Sequence, residues 1–447
     1  MAGVVMSRVW SRIGPGAILV AAFVAFLIYA FPGFLGWDSE ASLVQARSGH
    51  YTDAHPPIIA LLWRLTELFV AGPLGMLLVQ AATLLAGLYL IFCRELQPKA
   101  AAVAAAAVFL FPPISGVTAL IDKDALMAGF IVLGIGLALH RRAKLAMVAL
   151  VLGTAMRWNA LAATLAPVIW LLDLGGATAW RRYVRAAIAW VLITVAALAI
   201  NTVLTDRREY SWYGTHAYQD IAGTLHYVDG LDDDQTAKFL DGLPLLTTDH
   251  LRNKLDVLYD PAEYRQLQKY DGRILEPPAD PTQRAAVVRI WKAAVLGHPS
   301  AYLHYRWDNF RKLLRLDPME SYSQVYVWFH VIANEDSIFI LDHDATASAV
   351  QAHLRGWAIS LSRTPVYYPY IYVLIALVLL ALCFRRRTAR TLLLAGLIYE
   401  AAWFVLDPTA DFRYSQWLIL MTVVAGTLRF VRCNARVSTD IVTAALQ

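Results

Sequence analysis

Long apolar runs separated by short basic clusters constrain this chain more than any motif in it. A helix that crosses about 30 Å of hydrocarbon needs roughly 20 apolar residues. Such runs cover Pro15 to Leu35, Pro73 to Cys93, Lys99 to Leu120, Ala125 to His140, Arg185 to Leu204, Val366 to Phe384, Thr391 to Leu406 and Gln416 to Val431. Backbone polar groups in lipid must be satisfied within their own segment, so the expected fold class is an all-α polytopic membrane protein. With 58% hydrophobic and 16% charged residues, the composition excludes an ordinary soluble class.

The net charge of +5 would suggest a nucleic-acid partner in a soluble chain. Here the cations sit between apolar runs, at Arg8/Arg12, Arg94/Lys99, Arg141/Arg142/Lys144, Arg181/Arg182/Arg185, Arg385 to Arg387 and Arg429/Arg432. That is the positive-inside pattern, so these ends are expected to be cytoplasmic and no nucleic acid is expected to bind. Leu145 to Leu172 is apolar between two basic flanks and must therefore cross an even number of times. Its charged interruption is Arg157-Trp158-Asn159, which predicts two segments of roughly 12 to 15 residues turning there, with Arg157 at membrane depth in a protein-lined cavity. With that pair the sequence predicts about ten transmembrane helices and both termini in the cytoplasm. The apolar run after Arg8 and Arg12 reads as a signal anchor, because further spans follow it. Cys93, Cys383 and Cys433 fall at basic ends of apolar segments, so no disulfide framework is implied.

The expected organisation has three parts. Residues 1–204 form an N-terminal transmembrane catalytic module with a first external loop over 36–57 and an interfacial amphipathic helix over 57–70. Residues 205–365 form an external, mainly helical periplasmic domain inserted before the last three spans, which occupy 366–447. Within the insertion, Asp232 to Asp234 reads as solvated surface. Pro299 to Leu316 places Leu303, Trp307, Phe310 and Leu314 at helical spacing, as in a helix lying on the membrane or on the bundle.

Four places put charge on the expected outer face: the loop GWDSEASLVQARSGHYTDAHPP with Asp38, Glu40, Arg47, Asp53 and His55; Asp122-Lys123-Asp124; Arg157 with Asn159; and DPTADFRYSQW with Asp407, Asp411, Arg413 and Tyr414. Asp38, just past a span, suits a general base or the cap of a following helix. Asp53 and His55 suit either substrate contacts or the turn before Pro56. Asp122 and Asp124 are placed to cap the next helix. Lys123 is the anomaly, because a cation at a helix N-terminus opposes the macrodipole, and an anion beside it would resolve the conflict. Lys123, Arg157 and Arg413, with Tyr414, could cradle a lipid-linked phosphate. A phosphate leaves as an anion, so one carboxylate base would suffice.

The order of first span, acidic external loop, Pro-Pro helix start and many further spans resembles the GT-C superfamily of membrane glycosyltransferases, nearest the protein mannosyltransferase and lipid A aminoarabinose transferase branch. WDSEASLVQARSGHYTDAHPPIIALLW fits that branch's first-loop pattern. The resemblance implies a polyprenyl- or dolichyl-phosphate sugar donor, a lipid, glycan or protein acceptor, Asp38 as catalytic base, and a site on the outer face of the cytoplasmic membrane. It implies donor contacts at Asp122, Lys123 and Asp124, at Arg157 and Asn159, and at Phe412, Arg413 and Tyr414. Two positions depart from the pattern: Glu40 follows Asp38 by two residues where many members have adjacent acids, which makes it a second candidate base, and His55 precedes the Pro pair where some have lysine. Some members use a divalent ion, so magnesium or manganese at Asp122 and Asp124 stays open as a cofactor. The alternative function is a transporter or flippase of a lipid-linked sugar. No counterpart of the short Arg157 pair occurs in the second half of the chain, which counts against it.

Overall fold

A computed structural model describes residues 13–173, 179–261, 267, 273–317, 348–406 and 409–445. The described residues are helical, with isolated bridges and no strand. They divide into two units, one of Met1–Arg207, Gln324–Tyr399 and Gln416–Gln447, the other of Arg208–Ser323 and Glu400–Ser415.

The first unit begins with α1 (Pro15–Ala30), α2 (Trp37–Ser48), α3 (Pro57–Glu67), α4 (Leu74–Cys93), α5 (Pro98–Phe109), α6 (Pro112–Ala119), α7 (Lys123–Leu139), α8 (Ala143–Ala155), α9 (Ala160–Asp173) and α10 (Ala179–Leu204). The second unit holds α11 (Tyr218–His226), α12 (Asp233–Phe239), α13 (Leu251–Leu258), α14 (Pro281–Gly297) and α15 (Pro299–Leu313). Three more helices follow before the last: α16 (Ala349–Ser362), α17 (Pro369–Cys383) and α18 (Arg387–Leu406). The last is α19 (Gln416–Ala445). Helix α16, inside the 205–365 stretch assigned to the insertion, belongs to the first unit, where Gln351 Nε2 donates to the carbonyls of Phe31 at 2.6 Å and Tyr29 at 3.1 Å.

By length and composition, three helices among the described residues could cross a membrane: Leu74–Cys93, Trp180–Leu204 and Arg387–Leu406. A fourth is added if α5 and α6 count as one span. The Lys99 to Leu120 run, expected as one spanning segment, breaks into two helices bent by 68°. Pro112 is the cause: it forces Phe111 into an extended conformation and, lacking an N–H, opens a new helix. Helix α1 likewise stops at Ala30, short of the expected Leu35, with Phe31 extended ahead of Pro32. The turn expected at Arg157 is present, between helices of 13 and 14 residues.

Helices α4 and α7 form the centre of the first unit, and glycine lets their backbones touch. A Cβ on Gly87 would lie 2.5 Å from the backbone nitrogen of Leu133, and one on Gly136 would lie 2.7 Å from Leu90 Cβ. Nearly every residue of α7 from Asp124 to Gly136 is buried. Small residues replace the missing hydrophobic drive between apolar helices by allowing close van der Waals approach.

The second unit has its own core, including Tyr218, Ile221, Leu225, Leu251, Leu255, Val287 and Ile290. Inside it Asp220 accepts from Arg306 at 2.6 Å, Trp291 Nε1 at 2.8 Å and Tyr305 Oη at 3.2 Å. Of the apolar stripe expected on α15, Leu314 just past its end is buried, whereas Leu303 and Trp307 are exposed; Tyr305, Arg306, Asn309 and Leu313 are buried as well, Arg306 against Asp220. A buried acid must be paired, and Arg306 supplies the matching charge.

Replacing Gly87 by valine should therefore destabilise the protein by roughly 1 to 3 kcal/mol through overpacking against backbone. Gly16→Ala, where nothing lies within 4 Å of the new Cβ, should not lower stability. Thermal unfolding of both variants in detergent checks the contrast, and equal midpoints would remove the α4–α7 contact from its central place.

Candidate active site

The loop after α1 is strapped to the segment that leads into α7. Phe34 N–H donates to Ala119 O and Ile121 N–H donates to Phe34 O, both at 2.9 Å. Ser39 Oγ accepts from Gly36 N–H at 3.0 Å and donates to Ile121 O at 2.5 Å. Gln80, buried in the middle of α4, secures the other side of this strap by donating to Thr118 O at 2.6 Å and Leu120 O at 2.9 Å. The start of α2 and the start of α7 are thus fixed side by side.

Asp38 lies in the first turn of α2, behind Gly36, which is the N-cap. Its carboxylate does not serve as the cap. It meets Lys123, with Nζ 2.5 Å from Oδ2, across 85 residues of sequence. The anion that the macrodipole argument requires beside Lys123 is therefore a side chain of the protein itself. His55 completes the group, its Nδ1 3.4 Å from Lys123 Nζ and its Nε2 3.6 Å from Asp38 Oδ1. A neutral His55 that accepts from Lys123 at Nδ1 carries its proton on Nε2, facing the carboxylate. The Asp38 side chain keeps 25% exposure and is open to solvent.

Next to this group lies a second pair. Arg157 Nη1 contacts Asp124 Oδ1, both side chains being buried, and Arg157 Nε donates to Asn159 Oδ1 at 3.0 Å. Asp122 is the N-cap of α7 and accepts from Asp124 N–H at 3.2 Å. Lys123 and Arg157, two of the cations read as a phosphate cradle, are each matched to a carboxylate. Asp53 is half-buried in the loop that carries His55.

Among the described residues no three His, Cys, Asp or Glu side chains gather as a metal site requires. Asp124 faces the Arg157 guanidinium, and Asp122 accepts from a backbone N–H. Arg413 and Tyr414 lie in the second unit, where Arg413 Nε pairs with Asp411 Oδ2 at 3.0 Å and Tyr414 stacks on Trp403 with ring centroids 4.4 Å apart. Asp407 falls outside the described residues.

Sequence reasoning missed the groups that hold the site. Asn201 in α10 accepts from Ile58 N–H at 3.2 Å and donates to Ala155 O at 2.8 Å, tying the Pro-Pro helix to the turn that carries Arg157. Asp206 accepts from Tyr51 N–H at 2.9 Å and anchors the His55 loop from its other end. The signal was present: a lone amide within an apolar run, as at Gln80 and Asn201, is costly unless it has partners. No family model, curated protein or solved structure matches the chain.

Glu40 behaves differently from Asp38. It is 4% exposed, on the buried face of α2 with Ser39, Leu43 and Ala46. Both carboxyl oxygens are buried without a hydrogen-bond partner among the described residues. Burial pushes its pKa up to about 7. Because the folded state favours the protonated acid, this residue's contribution to stability is complete below the ordinary carboxylate value of 4.5 and is lost as pH rises through about 7. Glu40→Gln should then raise the unfolding midpoint at pH 8, by an amount corresponding to roughly 1 to 3 kcal/mol, and leave it unchanged at pH 4. A midpoint difference that is the same at both pH values would place a partner beside Glu40.

Proposed function

We propose that the chain is a GT-C-type membrane glycosyltransferase that moves a sugar from a polyprenyl-phosphate donor to an acceptor hydroxyl, with inversion. The observation that carries this reading is the partly exposed carboxylate of Asp38, held by Lys123 and faced by His55 from three separate segments. A base must be fixed within hydrogen-bond reach of the proton it takes, and an ion pair between two helix starts supplies that rigidity.

In the proposed reaction the acceptor O–H gives its proton to Asp38 as its oxygen bonds to the sugar anomeric carbon. The bond from that carbon to the phosphate oxygen breaks at the same time, and the polyprenyl phosphate leaves as an anion. As Asp38 takes the acceptor proton its charge is lost, so Lys123 is no longer neutralised and stabilises the departing phosphate, while Arg157 stays paired with Asp124 beside it. Glu40, with its carboxyl turned into the protein, leaves the base role to Asp38. The membrane arrangement proposed with this chemistry has about ten crossings, both termini in the cytoplasm and Asp38 at the outer face, so that the lipid donor enters from the bilayer and the acceptor from water.

Purified protein in nanodiscs, given labelled polyprenyl-phosphate sugars and candidate acceptors, should transfer or slowly hydrolyse at least one donor. Asp38→Asn should lower turnover by about 10² to 10⁴-fold while donor binding persists. Wild-type turnover in that variant would overturn the assignment of the base.

A further inference from the structure

A second cluster of charge lies in the first unit, away from the residues used above. The tight turn between α17 and α18 carries Arg385, Arg386 and Arg387 in succession, closed by Arg386 N–H donating to Cys383 O at 2.7 Å. Arg429 and Leu428 of α19 and Glu95, just past the end of α4, join them around a cavity of about 250 Å³. Thr388 and Ala389, in the first turn of α18, complete the lining.

Basic residues at the ends of apolar helices are explained by membrane orientation alone when they point separately into water. Here three remote stretches bring four arginines and one glutamate to a single concavity. With four arginines against one glutamate the lining carries an excess of positive charge, and Arg387 at the start of α18 also opposes its dipole. An anion in the cavity relieves both. The planar, forked donors of guanidinium match phosphate oxygens in pairs, and Arg keeps its charge when partly desolvated. Glu95 disfavours a ligand of high negative charge and offers an acceptor to a hydroxyl or amino group on a phosphate ester.

We propose that the cavity formed by Arg385, Arg386, Arg387, Arg429 and Glu95 binds a phosphate ester, either the headgroup of an anionic phospholipid or a soluble one. The site is independent of the transferase reading, since none of its residues belongs to the Asp38 group.

Full-length protein in phosphatidylcholine nanodiscs provides the test, read by thermal unfolding. Partial replacement of phosphatidylcholine by phosphatidylglycerol should raise the wild-type midpoint, and Arg386→Gln/Arg429→Gln should abolish the rise. Glycerol 1-phosphate added to phosphatidylcholine nanodiscs is the soluble probe. A rise with it that the same variant abolishes identifies a soluble ester as the ligand, whereas a rise with phosphatidylglycerol alone identifies a lipid. Glu95→Gln, which removes charge without adding bulk, should enlarge the response even if the double variant folds poorly. Arg142→Gln, at an exposed cation outside the cavity, should respond as wild type does. The proposal is overturned if neither probe raises the wild-type midpoint, if Glu95→Gln leaves the response unchanged, or if Arg142→Gln loses as much of it as the double variant.

Discussion

An ammonium and a carboxylate at the starts of two helices meet at 2.5 Å, and the geometry of the candidate site depends on that contact. Neither charge is well placed alone. Lys123 opens α7 against its dipole, and Asp38 lies in a first turn whose cap is a glycine. Together they neutralise each other in a partly desolvated place where an unpaired charge would cost several kcal/mol. The pair also converts two remote stretches of chain into one rigid corner, with His55 closing its third side.

That corner is held by polar groups spent on backbone. Gln80 and Asn201 sit in apolar helices and satisfy carbonyls at helix ends, where four acceptors have no partner within the helix. Asn201 further supplies an acceptor for Ile58, whose N–H is among the unpaired donors at the start of α3. Removing either amide would free buried carbonyls and loosen the ends that carry Lys123 and Arg157. Glycine contacts between α4 and α7 set the depth at which α7 begins, and hence where its N-terminal charges stand.

Charge is handled in three ways within the first unit. Arg157 with Asp124, and Arg47 with Glu67 through bonds of 2.7 to 3.1 Å, are matched pairs that fix helix ends. Glu40 has no match among the described residues, and burial raises its pKa to about 7. Arg385, Arg386, Arg387 and Arg429 share one cavity with Glu95, positive charge being in excess. Pairing serves rigidity, burial of an acid makes stability depend on pH, and an excess of one sign suits a ligand of opposite charge.

Much of the helical architecture was legible because it rests on local physics. Apolar runs make helices, prolines start or stop them, and the polar interruption at Arg157 divides a run too long for one segment and too short for two full spans. The break at Pro112 was equally visible as a Pro-Pro pair within an apolar run, yet hydropathy averaged over the window concealed it. The inward face of α15 was only partly legible: apolar spacing marked Leu314, which is buried, and Leu303 and Trp307, which are exposed, but nothing local marked Arg306, which the distant Asp220 holds inside.

The candidate residues Asp38, Glu40, His55, Lys123, Asp124 and Arg157 could all be named from the sequence, because charge beside apolar runs is expensive and therefore conspicuous. Their division of labour could not. Asp38 and Glu40 are two residues apart on one helix, and composition gives them equal standing. The side of the helix that packs against the protein separates them, leaving one carboxylate partly exposed and the other buried. The sequence by itself determined the helices, their breaks and the set of charges. The tertiary structure alone decided which charges meet, because pairing across 85 residues is set by how helices pack and by which backbone groups need a partner at their ends.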